Sequence, residues 1–265
     1  MVKDVLIRKE ENHVGTLIFN RPEKKNALSP ELLLKIHSTL KEWSEKDEIR
    51  AVVITGGKGH PFSSGFDIAA ISTELKPGMA DTSTKNNPLE LGLNSVRNFP
   101  YPTIAMIDGH VYGGGLNLAM CCDIRVGTND ISASMPPARL GLVYHPDGIR
   151  QFIEVIGIAR TRELFFTART YRGAEVKMMG LVDYQVPSSE LETTTYGFAT
   201  EIAANSPLSI KGTKRIINMM ADAPVLDGKD IGKAEQLIAE AFNSDDLEEG
   251  QIAFFERRKP KFRGC

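Results

Sequence analysis

Two apolar runs in this chain each lead into a glycine-containing loop. AVVIT (51–55) is followed by GGKGHPFSSGFDI, and TIAMI (103–107) by DGHVYGGGLNLAMCCD. Three consecutive glycines, Gly113 to Gly115, are costly in ordered structure, by ~0.5–1 kcal/mol each relative to alanine, and mark a place where something approaches the backbone closely. Backbone N–H groups at a helix N-terminus or a glycine turn are free donors, and two of them from separate loops can converge on one oxygen. That is the layout of an oxyanion hole. Each loop alone is satisfied by an ordinary turn at Gly65 or an ordinary strand-to-helix connection at Gly113; the pair together points to chemistry. A dinucleotide site is the competing reading, but the G-x-G-x-x-G fingerprint needs a third glycine that YGGGLNLAM does not supply at the right offset.

A second candidate is VYHPDG (143–148). His145 can carry a proton near neutrality, Asp147 can orient it, and Tyr144 offers a hydroxyl, although His-Pro-Asp-Gly is also good turn chemistry. Asn117, on the first turn after the glycines, has no useful titration and cannot serve as a base. The basic residues Lys24 and Lys25, with Arg257, Arg258 and Lys259, offer local positive charge that could meet an anionic ligand or simply form a solvated face.

These residues need a frame. Val14 to Phe19, Ala51 to Thr55 and Thr103 to Ile107 read as buried strands. Ser29 to Lys46 carries Leu32, Leu33, Ile36, Leu40 and Trp43 at helical spacing behind a serine cap and a proline. Strand, helix, strand predicts an α/β fold with a parallel sheet. Ser72 to Asn87 is polar and aperiodic, which suits a loop or lid before a helix near Pro88 to Val96. Beyond Arg160 the pattern is mainly helical: Arg160 to Phe166, Ala174 to Met179, Leu191 to Ala204, Pro207 to Met220, and one long stretch from Gly232 to Phe255. Residues 1–200 are expected to form the catalytic core and 201–265 a helical C-terminal region.

The composition narrows the function. With 32 Lys and Arg against 34 Asp and Glu, the formal charge is -2, so nucleic acid has no electrostatic footprint here. Neither a stretch of ~20 apolar residues nor a signal-peptide core is present, so a cytoplasmic protein without membrane association is expected. Three cysteines, Cys121, Cys122 and Cys265, fit reduced thiols, and no metal-ligand spacing is found.

Along nearly its whole length the chain resembles the crotonase, or enoyl-CoA hydratase/isomerase, superfamily. The resemblance rests on NRPEKKNALS, FSSGFDI, PTIAMIDGHVYGGGLNLAMCCDIRV, ARLGLVYHPDG and FFERRKPKF, in that order. It implies a spiral of ββα/βαβ units with a helical C-terminal trimerisation region, and a homotrimer or dimer of trimers. It places the oxyanion donors on the backbone N–H of Phe66 and of Gly114. It also assigns the acyl-CoA groove to Lys24, Asn26, Ala27, Leu28, Gly65, Asp67, Ile68 and Arg257. No cofactor is implied beyond the coenzyme A of the substrate. The hydratases of the superfamily carry glutamates where this chain has Asn117 and Pro137. Hydration needs a group to activate water and another to protonate carbon, so two-glutamate hydration is not expected. SMPP, Tyr144 and Gly148-Ile149 are similar to a decarboxylating branch, that of the methylmalonyl-CoA decarboxylases, in which an oxyanion hole can suffice without a base. That branch has a histidine at the place of Phe66 and a glutamate at the place of Asn117. The alternatives are double-bond isomerisation through His145, hydration by unusual groups, and a CoA-binding scaffold without turnover.

Overall fold

The computed structural model describes residues 4–67, 87–221 and 228–262. The polar segment expected to form a lid lies, but for Asn87, outside the described residues, as do Ile68 and Cys265.

A six-stranded sheet runs in the order β1-β2-β3-β4-β6-β9. Its strands are β1 (Leu6–Glu11), β2 (Val14–Phe19), β3 (Ala51–Thr55), β4 (Thr103–Ile107), β6 (Ile124–Thr128) and β9 (Tyr184–Val186). β1 and β2 form an antiparallel hairpin, and every later pairing in this sheet is parallel. A smaller sheet joins β5 (His110–Tyr112), β7 (Ser132–Ser134) and β8 (Thr170–Arg172).

Side-chain alternation divides the core into two layers. Val52 and Ile54 of β3, with Ala105 and Ile107 of β4, face one cluster that includes Leu32, Ile36, Leu40 and Trp43 of α1 (Pro30–Lys46). Ala51 and Val53, with Ile104 and Met106, face the other, against Leu191, Ala199 and Ala203 of α6 (Leu191–Ala204). A strand covered on both faces must read as a continuous apolar run, which is why AVVIT and TIAMI do. α1 starts where the serine cap predicts: Ser29 Oγ accepts the Leu32 N–H at 3.2 Å, a bond worth about 1 kcal/mol, and Pro30 takes the first helical position. Burying its four largest apolar side chains and Trp43 contributes ~1.5–3 kcal/mol each before chain entropy is counted.

α2 (Pro88–Arg97) begins at Asn87, whose side chain caps the helix, and lies over α1 and over α3 (Gly113–Cys121). The Tyr-His loop does not form a free turn. His145 is the N-cap of α4 (Pro146–Thr167), and Pro146 and Asp147 open its first turn, so the turn-forming residues serve as a helix start. α4 therefore begins 14 residues before the expected Arg160, and Gly157, at φ 75°, breaks its regular path. α5 (Ala174–Met178) and α7 (Pro207–Ala221) stand where the periodicity put them. The single long C-terminal helix is instead two, α8 (Gly228–Phe242) and α9 (Asp245–Phe255), because Ser244 caps a new start by accepting the Leu247 N–H. Residue 200 falls inside α6, which covers the sheet. α7 is tied to the core by the buried Lys214, whose ammonium donates to Asp123 Oδ2 at 2.7 Å and to the Tyr101 carbonyl at 3.0 Å. No helix among the described residues is long and apolar enough to cross a membrane.

Candidate active site

The two glycine loops meet. Ser63 and Val111 form a parallel bridge, in which Ser63 N–H donates to the His110 carbonyl and Tyr112 N–H to the Ser63 carbonyl. Leu28 and Phe66 form another: Leu28 N–H donates to Gly65 O at 2.8 Å, and Asp67 N–H to Leu28 O at 3.0 Å. A parallel bridge uses the residues on either side of its partner, so the N–H of Phe66 itself is directed away from Leu28. Gly114 is the second residue of α3, and an N–H in the first helical turn has no partner within its helix. A Cβ built on Gly114 would lie 3.3 Å from Phe66 N, which places the two unclaimed amides side by side. They can hold one carbonyl oxygen between them. Gly65 makes the approach possible: its φ of +106° is strained for any residue with a side chain, and a Cβ there would come within 3.1 Å of the Tyr112 carbonyl.

Behind the amides lies a directed hydrogen-bond chain. Tyr144 O–H donates to Asn117 Oδ1 at 2.9 Å, and Asn117 Nδ2 donates to Gln151 Oε1 at 2.5 Å. Gln151 Oε1 also accepts the Cys121 thiol at 3.0 Å. Asn117, Gln151 and Cys121 are all buried. Gly148 makes room for this chain, since a Cβ there would overlap the Tyr144 ring and sit 2.9 Å from Asn117 Oδ1. The Tyr144 ring is held edge-on to Phe165, which in turn meets Phe152 edge-on. Burial pushes the Tyr144 phenol well above its ordinary range, with the nearby Glu90 adding to the effect, so the tyrosine stays neutral. Burial likewise raises both thiols, Cys122 to about 12, and neither is a nucleophile at neutral pH.

Pro137 is buried in a single 3-10 turn, Pro137–Arg139, and the adjoining Pro136 Cδ lies 3.8 Å from where a Cβ of Gly113 would be. Thus neither Asn117 nor Pro137 offers a carboxylate. The site nevertheless has one, which the sequence reading did not find. Glu90, on the first turn of α2, is only 5% exposed, and its Oε1 lies 4.0 Å from His145 Nδ1. Its Oε2 is buried without a hydrogen-bond partner among the described residues. Burial raises its pKa; the neighbouring His145 opposes that shift and Asp147 adds to it. The adjoining Leu89 Cδ1 is 3.6 Å from the Gly114 Cβ position, which sets this turn of α2 against the oxyanion amides.

His145 therefore faces a carboxylate, but its first partner is the backbone. Its Nδ1 accepts the Asp147 N–H at 3.3 Å, while the Asp147 carboxylate stands 3.8 Å away, beyond hydrogen-bond reach. The contact between the two residues is thus a helix cap, with no carboxylate orienting the imidazole.

The residues expected in the CoA groove are placed diversely. Asn26 is fully buried, and its amide braces the Gly56 and Pro61 carbonyls at 3.0 and 2.8 Å. Ala27 and Leu28 are buried beside it. Arg21 joins this strut to the Phe66 loop, donating to the Ala27 carbonyl and pairing with Asp67 at 3.1 Å. Lys24 and Arg257 are exposed, whereas Arg258 is engaged by Glu249 and Glu256.

The family model for enoyl-CoA hydratase/isomerase matches residues 9–265. Methylmalonyl-CoA decarboxylase of Escherichia coli (strain K12) is 30% identical over 254 residues, covering 96% of this chain and 95% of that protein. Mitochondrial methylglutaconyl-CoA hydratase of Rattus norvegicus is 28% identical over 262 residues, covering 97% and 82%. Among solved structures, methylmalonyl-CoA decarboxylase in complex with 2-nitronate-propionyl-CoA superposes with a TM-score of 0.91 at 27% identity, covering 99% of each chain. With its paired amides, two-layered sheet and helical C-terminal region, the chain belongs to the enoyl-CoA hydratase/isomerase family and is a crotonase-fold enzyme acting on acyl-CoA.

Proposed function

We propose that this enzyme removes carbon dioxide from a malonyl-type acyl-CoA, forming a thioester enolate whose oxygen is held by the amides of Phe66 and Gly114. The observation that carries the reading is the Tyr144–Asn117–Gln151 chain, a buried hydrogen-bond chain with no carboxylate in it. The phenolic proton is committed to Asn117. Tyr144 therefore lines the pocket without solvating a substrate carboxylate as water does, and a poorly solvated carboxylate loses carbon dioxide more readily. Breaking the carbon–carbon bond leaves its electron pair on the α-carbon, delocalised onto the thioester oxygen, where the two amides stabilise it. No base is consumed in that step. The likeness to methylmalonyl-CoA decarboxylase in both sequence and fold supports this choice.

No cofactor is required beyond the coenzyme A of the substrate, whose phosphates we assign to Lys24 and Arg257. We also assign a trimer or dimer of trimers, with apolar side chains such as Leu208, Met220 and Phe255, all more than half exposed, as candidates for subunit packing. A cytoplasmic location is part of the same reading.

The test is to follow carbon dioxide release from methylmalonyl-CoA beside double-bond migration in a 3-enoyl-CoA, in the unaltered enzyme and in Tyr144→Phe. Decarboxylation that falls by about tenfold or more in Tyr144→Phe supports the reading, because losing the phenol frees Asn117 Oδ1 and opens the pocket wall to a water that solvates the carboxylate. A second reading, isomerisation, is favoured by the Glu90–His145 contact. It replaces the first if a 3-enoyl-CoA is isomerised, His145→Gln abolishes that activity and no carbon dioxide is detected.

A further inference from the structure

Decarboxylation leaves an enolate that needs a proton, and the Tyr144–Asn117 chain has none to give. We propose that Glu90 is the acid that protonates the enolate carbon, and that His145 returns a proton to it from solvent. The inference rests on the enolate chemistry above, but its test separates the two.

Three observations support this role. Glu90 is buried on the turn of α2 that walls the Gly114 amide through Leu89. One of its carboxyl oxygens has no hydrogen-bond partner among the described residues, which is costly for an ionised group and far less so for a protonated one. The other faces the imidazole of His145, whose side chain is 25% exposed and so reaches from Glu90 towards solvent. The groups facing Glu90 from the elements around it are Tyr144, His145 and Asp147 at the start of α4, and Cys121 on α3. Tyr144 and Cys121 are neutral, and burial raises the Glu90 carboxyl above its ordinary value, the direction an acid needs.

The proton balance is complete. The Glu90 O–H bond breaks as the α-carbon C–H bond forms, with the enolate supplying the electron pair and Glu90 left as the carboxylate. With the cap open, Nδ1 of the neutral, Nε2-protonated imidazole takes a proton from solvent to give the imidazolium, which hands that proton to the Glu90 carboxylate and returns to the neutral ring. Nδ1 can carry hydrogen only when it is not accepting the Asp147 N–H, so the 3.3 Å cap bond opens each time Glu90 is reloaded. The weakness of that bond suits the task.

The experiment uses deuterium oxide and two substrates. With methylmalonyl-CoA, the unaltered enzyme is expected to give 2-deuteriopropionyl-CoA of one configuration, because a single fixed acid serves one face. With propionyl-CoA alone, it is expected to exchange an α-hydrogen, the same transfer in reverse. Glu90→Gln, which keeps size and polarity without a transferable proton, should lose exchange by ~100-fold or more and give a mixture of configurations. Glu90→Asp should recover part of the exchange, which a merely structural loss would not allow. His145→Gln should slow exchange while leaving the configuration unchanged, since the acid is still Glu90. If carbon dioxide is released and Glu90→Gln changes neither exchange nor configuration, Glu90 is not the acid and the decarboxylase reading stands. If no carbon dioxide is released but exchange depends on Glu90, the assignment of Glu90 stands and the decarboxylase reading falls. Absence of exchange together with mixed configuration in the unaltered enzyme overturns the proposal.

Discussion

Gly114→Ala separates the oxyanion hole from every other contribution to turnover. An oxygen held by both amides sits about 2.9 Å from each nitrogen. The new methyl carbon would lie 3.3 Å from Phe66 N, close to the amide that the proposed hole uses. A methyl group needs roughly 3.5 Å from non-bonded carbons, so it competes directly with the thioester oxygen for the space. Both N–H groups remain in the variant, but an oxygen displaced from one of them forfeits what losing a donor costs, ~100- to 1,000-fold in kcat, or about 2.7–4 kcal/mol of transition-state stabilisation. The fold should scarcely notice. Alanine in place of glycine inside a helix recovers ~0.5–1 kcal/mol of chain entropy, which offsets the tight contact at Phe66 N and the 3.6 Å contacts at Leu89 Cδ1 and Phe66 Cβ. The expected outcome is a kcat lowered by at least ~100-fold with Tm shifted by no more than ~4 °C. Steady-state kinetics and thermal unfolding on the same preparation measure both. A folded variant with full turnover would refute the hole at this position.

Asn117→Glu should not restore crotonyl-CoA hydration to the rate of a two-glutamate enzyme, because Pro137 leaves the partner missing and the Asn117 amide that now donates to Gln151 would be lost; loss of conjugated thioester absorbance reports it. Glu90→Gln should change the pH dependence of stability. The folded-state pKa of Glu90 is raised by burial, so the native protein binds this proton more tightly than the unfolded chain, and its contribution is full below about 4.5 and lost as pH rises through the higher folded value. The Tm difference, variant minus unaltered enzyme, should therefore grow with pH across that window and then level off; a flat difference contradicts the buried, raised carboxyl. Glu at both Lys24 and Arg257 should raise KM for the CoA thioester and flatten its dependence on salt, with kcat little changed, because exposed charges act at long range and are screened.

The frame was legible because its signals are local. AVVIT and TIAMI are apolar on both faces, and Ser29-Pro30 with Leu32 to Trp43 is a cap followed by a stripe, so sheet and first helix could be read directly. The glycine loops were legible for a similar reason: strand ends carrying Gly65 and Gly113 to Gly115 state which backbone must be approached. The start of α4 was not, because His145-Pro-Asp-Gly suits a turn and a helix start equally, and only the packing of Tyr144 against Phe165 decides. Glu90 was hidden by its own context. An asparagine followed three residues later by glutamate reads as the start of a helix, where the carboxylate belongs at the surface near the free N–H groups. Asn87 does cap the helix, through the Leu89 N–H, but Glu90 turns inward to meet a residue 55 positions further along the chain. Gln151, on the second turn of α4, was missed because its role exists only where α4 meets α3.

This difference between what was and was not legible follows the division of labour in the site. The amides proposed to hold the thioester oxygen belong to backbone whose path is fixed by two isolated bridges and by glycines. Acids and bases are single side chains, and any helix that borders the pocket can supply one. In this chain α3 and the 3-10 turn carry Asn117 and Pro137, neither of which has a titratable group, while α2 brings a buried glutamate from another side. In the proposed reaction the enolate is stabilised from one direction, by two backbone amides, and meets its proton from a direction set by Glu90. Which bond breaks to form the enolate is then a matter of the acyl group, and which face is protonated is a matter of α2. Those are separable choices, and the configuration of the deuterated product reads the second without depending on the rate of the first.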